Sequence, residues 1–463
     1  MQVGRDMKLA TRTSQPNIIV FFTDQQRWDT TGVQGNPLDL TPHYDRMATL
    51  GTHAAQAFTC QPVCGPARAA LQTGLYATAC GSFTNAIPLQ RDAMTIARYF
   101  REAGYDTGYI GKWHLAGTRT EPVPEELRGG FEYWLAADSL EHTSDAYRTV
   151  LYDNSNRKHE LPGYRVDALT DAAIRYIASR QRSGKPFFLF VSYLEPHHQN
   201  HRDDYPSPFG TRGRYTGRYI PPDLAALGGN AHQHLDGYYG MVKRLDEALG
   251  RIQDALYSLS MTDDTVMAFT SDHACHFKTR NAEYKRSCHE SSIRIPMAFS
   301  GPGFDGGGTI RELVSLLDLP PTLLDAAGIP VPGHMQGRSI LRLVHGRKDA
   351  EWPQEVFVQI SESQVGRAIR TRRWKYGVDA PDRDPLRDSG SSEYTEQYLY
   401  DLESDPYELT NLAALESHEP VRARLRERLI ARMVEAGEEA PRIIPLTPQP
   451  AGQRKVYPEE IDM

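Results

Sequence analysis

Four short runs constrain this chain most: Asn17–Thr23 (NIIVFFT), Asp106–Ile110 (DTGYI), Pro186–Tyr193 (PFFLFVSY) and Thr265–Thr270 (TVMAFT). They carry β-branched or aromatic residues on both parities. A strand with one wet face alternates polar and apolar residues; a strand without that alternation needs cover on both faces. Helical periodicity fills the chain between them. In Gly240–Leu259 the residues Met241, Val242, Leu245, Leu249, Ile252 and Leu256 fall on one stripe, and Asp92–Ala103 and Val166–Gln181 are similar. Strands alternating with helices predict an α/β fold: a mixed, mostly parallel sheet between helical layers.

With 463 residues there is material for one large or two medium domains. The pattern changes after about residue 345. Two runs, Glu355–Ile360 (EVFVQI) and Gly366–Val378 (GRAIRTRRWKYGV), predict a small antiparallel sheet. A charged loop follows, then a helix near Val421–Ala436. The reading is a domain over 1–345 and a smaller α+β subdomain over 346–463. His198–His234, rich in Arg, Tyr, Pro and Gly, reads as a long surface insertion of the kind that contacts substrates.

Several classes drop out. The chain has 52 basic and 59 acidic residues, net -7, without the basic excess a nucleic-acid binder uses to displace counterions. No apolar run approaches the roughly 18–20 residues of a membrane span. The segment before Pro16 lacks an apolar signal core, which predicts a cytoplasmic protein, or a periplasmic one if the chain begins further upstream. Five cysteines, an odd and sparse set, argue against a disulfide framework.

Each strand ends in polar residues: Thr23-Asp24-Gln25-Gln26, Gly111-Lys112-Trp113-His114, Glu195-Pro196-His197-His198 and Ser271-Asp272-His273. In a parallel sheet these ends share one edge, where α/β proteins place ligands. A lone Asp after a strand is more often a helix cap, and a lone Lys or His a solvated group. Four such ends together point to one site. Carboxylates and an amide oxygen are hard ligands for Ca²⁺ or Mg²⁺. Lysines and histidines suit an anionic, oxygen-rich group by charge and proton transfer.

One stretch remains, Cys60 to Gly74 (CQPVCGPARAALQTG). Its Cys64-Gly65-Pro66-Ala67-Arg68, followed by Thr73-Gly74, resembles the Cys-x-Pro-x-Arg signature of type I sulfatases, of the alkaline-phosphatase-like superfamily. Cys60 does not fit the signature, because Cys64 stands where its Arg would be, and it reads as a packing residue. The resemblance spans most of the chain. Asn17–Gln25 is similar to the family's first strand and metal pair. Gly111–Leu115 (GKWHL) resembles its lysine–histidine element. Ser271-Asp272-His273 and Lys285–Pro296 resemble the second metal pair and the lysine segment. Gly301-Pro302-Gly303, Asp318–Gly328 and Tyr400–Asn411 match its C-terminal half. The chain departs where many members have Asp-Asp and Asp-Asn: here stand Asp24-Gln25 and Asp272-His273.

The resemblance implies that a separate maturation enzyme oxidises Cys64 to formylglycine, whose hydrate attacks the sulfur of a sulfate ester. One hydroxyl then carries the sulfate and the other loses its proton to expel it. Asp24, Gln25, Asp272 and His273, with position 64, would hold Ca²⁺, with Mg²⁺ or Mn²⁺ as alternatives. Arg68 would orient position 64. Lys112, His197 and Lys285 would neutralise the sulfate, His114 would take the proton, and His197 or Lys285 would protonate the leaving oxygen. The expected substrate is a sulfated carbohydrate, with a uronic-acid-containing oligosaccharide as one form. Alternatives are an aryl or alkyl sulfatase, a phosphonate monoester or phosphodiester hydrolase, and a binding protein that has lost the chemistry.

Overall fold

The computed structural model describes residues 15–462. The signal-core reading concerns residues 1–14, outside the described residues. No helix among the described residues is long and apolar enough to cross a membrane.

The main sheet has ten strands: β1 (Asn17–Thr23), β2 (Thr52–Ala54), β3 (Asp106–Lys112), β4 (Tyr133–Ala137), β5 (Thr149–Asp153), β6 (Lys158–Leu161), β7 (Phe187–Ser192), β8 (Thr265–Ser271), β9 (Met297–Ser300) and β10 (Gly308–Ile310). Their order is β10-β2-β9-β8-β1-β7-β3-β4-β5-β6. The four runs without alternation are the four adjacent central strands, β8, β1, β7 and β3, all mutually parallel. Antiparallel strands occur only towards the sheet's two edges.

Both faces of β1 are covered. Ile18, Val20 and Phe22 join one core with residues of α2 (Cys64–Thr73), α3 (Ile96–Glu102) and α6 (Leu319–Ala326). Ile19 and Phe21 join the other, with residues of α1 (Pro42–Leu50), α4 (Arg165–Arg180) and α5 (Ala231–Ser258). That two-sided burial is why the strands carry no polar parity. The strands finish level: Thr23 is opposite Ser271, and Ser192 is opposite both Phe22 and Gly111. Gly111 has φ +109°, and a Cβ there would lie 1.9 Å from the Ser192 carbonyl oxygen. Only glycine lets β3 and β7 pair to this point.

The second sheet runs β11 (Glu355–Ile360), β12 (Gly366–Thr371), β13 (Trp374–Asp379), β14 (Glu393–Asp401), β15 (Arg442–Ile444) in sequence order. It is antiparallel except for the last pair. The expected single run Gly366–Val378 is thus two strands of a hairpin broken at Arg372–Arg373. Helix α7 (Glu419–Glu435) packs Val421, Leu425, Leu429 and Met433 on one face of this sheet. The other face, through Val356, Val358, Ile360 and Ala368, packs on Phe58, Cys288 and Ile293 of the large layer.

The insertion is not wholly a surface element, contrary to expectation. Tyr205 and Leu224 are buried in an aromatic cluster with Tyr238, Phe277 and Tyr284. Its last residues, from Ala231, already belong to α5.

Candidate active site

Helix α2 begins at Cys64, after an extended Val63. Pro66, its third residue, falls in the first turn, where no backbone N–H is needed for the helix. The helix stops at Gly74, whose φ of +72° is the left-handed cap and whose missing Cβ leaves room for Met335. The Cys-x-Pro-x-Arg…Gly pattern is therefore a helix with a prescribed start and end. Its first residue, 2% exposed, lies at the wall of a cavity of about 520 Å³.

The strand ends converge on that residue. The Cys64 thiol accepts from Lys285 Nζ at 2.7 Å and lies 3.2 Å from His273 Nε2 and 3.7 Å from Asp24 Oδ1. Ligand atoms of Asp24, Cys64, Asp272 and His273 all lie within 4.8 Å of one another. Gln25 adjoins them through its backbone N–H, which donates to Asp272 Oδ1 at 3.0 Å. Burial alone would raise the thiol's pKa; Lys112, Lys285 and His273 override it and hold it well below the usual range. Cys60 is the contrast. It packs between Ala70 and Leu317, and burial pushes its thiol up to about 12. All five cysteines are free.

Arg68 reaches Asp24 at 2.9 Å and Asp272 at 3.2 Å, and donates to Ser192 Oγ and the Lys112 carbonyl. It thus bears on position 64 through the two aspartates and not by a direct hydrogen bond. Lys112, fully buried, bridges Asp24 Oδ2 at 2.9 Å and Glu141 Oε1 at 3.1 Å. Burial opposes charge on Asp24, and Cys64 adds to that, yet Lys112, His197 and Arg68 keep its carboxyl well below the usual range. Asp272 is pushed up to about 6 by burial and by Asp24.

The histidines are oriented by their backbone partners. Nδ1 of His273 lies 3.0 Å from the Ala274 carbonyl and Nδ1 of His197 2.6 Å from that of His198. A carbonyl only accepts, so each Nδ1 carries a proton and Nε2 is the ring nitrogen turned to the site. His197 Nε2 lies 3.3 Å from Lys285 Nζ. Burial and Lys285 push His197 below the usual histidine range. His114 faces the thiol with its Nδ1 buried and unpartnered. Asp138 holds the His114 loop by accepting from the N–H groups of Leu115, Ala116 and Arg119.

The donor set suits a divalent cation. It combines two carboxylates, an imidazole nitrogen and position 64, and Gln25 Oε1, on the residue after Asp24, is a buried acceptor with no hydrogen-bond partner. The crowding that raises Asp272 is what a bound dication relieves.

Sequence reasoning missed the residues that brace this centre. Glu141 pairs with Lys112, and Ser192 accepts from Arg68. Asn85 Oδ1 accepts the Gly65 N–H at 2.8 Å; Glu362, from the loop after β11, accepts from Asn85 and pairs with Arg286 at 2.7 Å. No motif marks them; each was findable only as a polar residue with no local partner. Conversely, two strand-end residues serve the frame. Gln26 donates to Thr30, and Glu195 pairs with Arg165.

Known proteins resemble this chain in sequence and in fold. The family model described as Sulfatase matches residues 16–329, and one described as N-sulphoglucosamine sulphohydrolase, C-terminal, matches 283–435. An ulvan-active sulfatase from Formosa agariphila is 30% identical over 441 residues, covering 92% of this chain and 82% of its own. An N-acetylglucosamine-6-O-sulfatase from Bacteroides thetaiotaomicron is 24% identical, covering 86% and 83%. A solved structure in complex with its substrate D-glucosamine-2-N,6-O-disulfate superposes with TM-score 0.75 at 23% identity, covering 92% and 98%. The phosphonate monoester hydrolase of Agrobacterium radiobacter shares the fold at TM-score 0.67 and 23% identity, covering 91% and 96%. With a family model over more than half its length and a 30%-identical relative along most of it, this chain belongs to the sulfatase family of sulfuric ester hydrolases.

Proposed function

We propose that this sulfatase hydrolyses a sulfate ester of a carbohydrate at position 64, with Ca²⁺ as its cation and a maturation enzyme converting Cys64 to formylglycine. The observation that carries the reading is the helix-start Cys64 at the cavity wall, within 3.2 Å of both Lys285 and His273 and beside two buried aspartates.

Asp24, Gln25, Asp272 and His273 would hold the cation, with Arg68 and Lys112 fixing Asp24. When present, the cation supplies a Lewis acid for a sulfate oxygen, and the formylglycine a hydrated aldehyde as nucleophile. The Lys285 ammonium and the α2 N-terminus would carry the sulfate's charge. The leaving oxygen would take its proton from the Lys285–His197 pair. His114 would accept the proton that lets sulfate depart, through a ring nitrogen facing position 64.

The wall favours a sugar. Beyond the reacting groups it presents Asn85, Arg119, His142, Asn200, Glu283 and Arg286, and no Phe, Tyr or Trp among the described residues. Such groups match hydroxyls and carboxylates better than an aryl ring. The relatives include an ulvan-active sulfatase and an N-acetylglucosamine-6-O-sulfatase.

Two measurements test this. Conversion of Cys64 lowers the intact mass by about 18 Da. On matched leaving groups, kcat/KM should favour sulfate over phosphate monoesters by at least about a hundredfold, or about 2.7 kcal/mol. A preference for the phosphoester overturns the sulfatase chemistry. Aryl sulfate turned over as fast as every sugar sulfate overturns the carbohydrate reading.

A further inference from the structure

A carboxylate offers a cation an oxygen whichever way it turns. An amide does not: turned over, it presents two N–H donors. Gln25 therefore needs something to hold its amide in one sense. The structure contains a candidate. Gln25 Nε2 donates to Tyr205 Oη at 3.0 Å and approaches Cys275 Sγ at 3.4 Å, leaving Oε1 buried and without a hydrogen-bond partner. Tyr205 Oη itself lies 3.4 Å from Cys275 Sγ. The phenol is rigidly placed. Tyr205 is fully buried, with Tyr238, Phe277 and Tyr284 each 5.1–5.6 Å from a neighbouring ring in the same cluster. The Gln25 backbone is fixed as well. Its carbonyl accepts from Tyr238 Oη at 2.8 Å, its N–H donates to Asp272, and its φ of +71° aims the side chain in a way a regular strand would not.

We infer that Tyr205 is a positioning residue for the cation site, fixing the Gln25 amide so that Oε1 is the atom offered to the metal. The insertion His198–His234 thereby has a use apart from substrate contact: it delivers the phenol that lets an amide stand beside Asp24 at the cation site. The inference rests on Gln25 being a ligand.

The test is Ca²⁺ titration calorimetry on the chelator-stripped full chain. Removing an outer partner of a ligand typically weakens metal binding 10–100-fold, so Tyr205→Phe should weaken Ca²⁺ by at least about tenfold. In a Gln25→Glu background, where no amide needs orienting, Tyr205→Phe should change affinity by less than about twofold. Gln25→Asp serves if Gln25→Glu does not fold. Wild-type affinity in Tyr205→Phe overturns the inference, as does an equal loss in both backgrounds, which would make Tyr205 merely a packing residue. Gln25→Ala with unchanged affinity removes Gln25 from the ligand set and overturns the inference at its base, whatever Tyr205→Phe does.

Discussion

Lys112 offers a quantitative test of how the centre is held. It is the cation between Asp24 and Glu141, at 2.9 and 3.1 Å, with no exposure to solvent. In Lys112→Met, Asp24 keeps Arg68 at 2.9 Å, but Glu141 loses its only ion-pair partner among the described residues. Burial pushes the Glu141 carboxyl up, yet Lys112 first, then His114 and His197, hold it at about 2 against an ordinary 4.5. A displacement of that size corresponds to about 3 kcal/mol of native stability at neutral pH, and removing one partner of a buried pair costs about 3–5 kcal/mol. Lys112→Met should therefore lose about 3–5 kcal/mol in guanidinium unfolding followed by tryptophan fluorescence, with chelator present so that cation binding does not enter. The pH dependence has a definite sign. In the wild type, Glu141 stabilises above its unfolded value and loses that contribution as pH falls through about 2. In the variant its carboxyl protonates more readily than in the unfolded chain, so the variant recovers on acidification and the gap narrows from pH 8 to 5. Adding Glu141→Gln should restore at least about 1 kcal/mol without restoring turnover, since the charge beside position 64 is still gone. A gap under about 0.5 kcal/mol, or one that widens on acidification, refutes the reasoning.

Cys64→Ala should abolish turnover while Cys60→Ala keeps most of it; equal loss in two folded variants would unseat Cys64. Gly111→Ala should cost at least about 3 kcal/mol, because its Cβ meets the Ser192 carbonyl, and a wild-type melting midpoint would contradict that register. Asp246 caps α1 through the N–H groups of His43 and Tyr44, and burial pushes its carboxyl up to about 7. Its stabilising contribution is whole below the unfolded value near 4 and is lost as pH rises to 7; Asp246→Asn should flatten that part of the stability profile, and an unchanged profile would refute it. Arg119 lines the cavity without an ion-pair partner among the described residues. Arg119→Ala should raise KM at least about fivefold for sugars bearing a second anionic group and leave neutral sugar sulfates unchanged; equal effects on both would dismiss it.

The four central strands were legible because two-sided burial erases polar alternation, and they are the strands that carry the site. The outer strands were not. β2 and β10 have three residues each, too few for any period, and β14 (EYTEQYLYD) follows a charged loop whose composition masks it. The convergence of Asp24, Lys112, Asp272 and His273 followed from parallel strands ending level. What sequence could not supply was the reach of long side chains: that Arg68 would grip two aspartates, that Glu141 would share Lys112, or that Tyr205, 180 residues from Gln25, would touch its amide. Those contacts depend on how loops fold back over the sheet edge, and no local pattern encodes that.

Glu362 bears on how such a chain can change over generations. It hangs from the second sheet, yet it steadies Asn85 at the mouth of the first helix turn and ties down Arg286 on the cavity wall. A recombination crossover between residues 286 and 362 would take Arg286 and Glu362 from different parents, and where those parents differ at either position it would leave a carboxylate without its arginine or an arginine without its carboxylate. Lineages should exchange this pocket as one inherited block reaching past residue 362, and drift at 85, 286 and 362 should proceed in step.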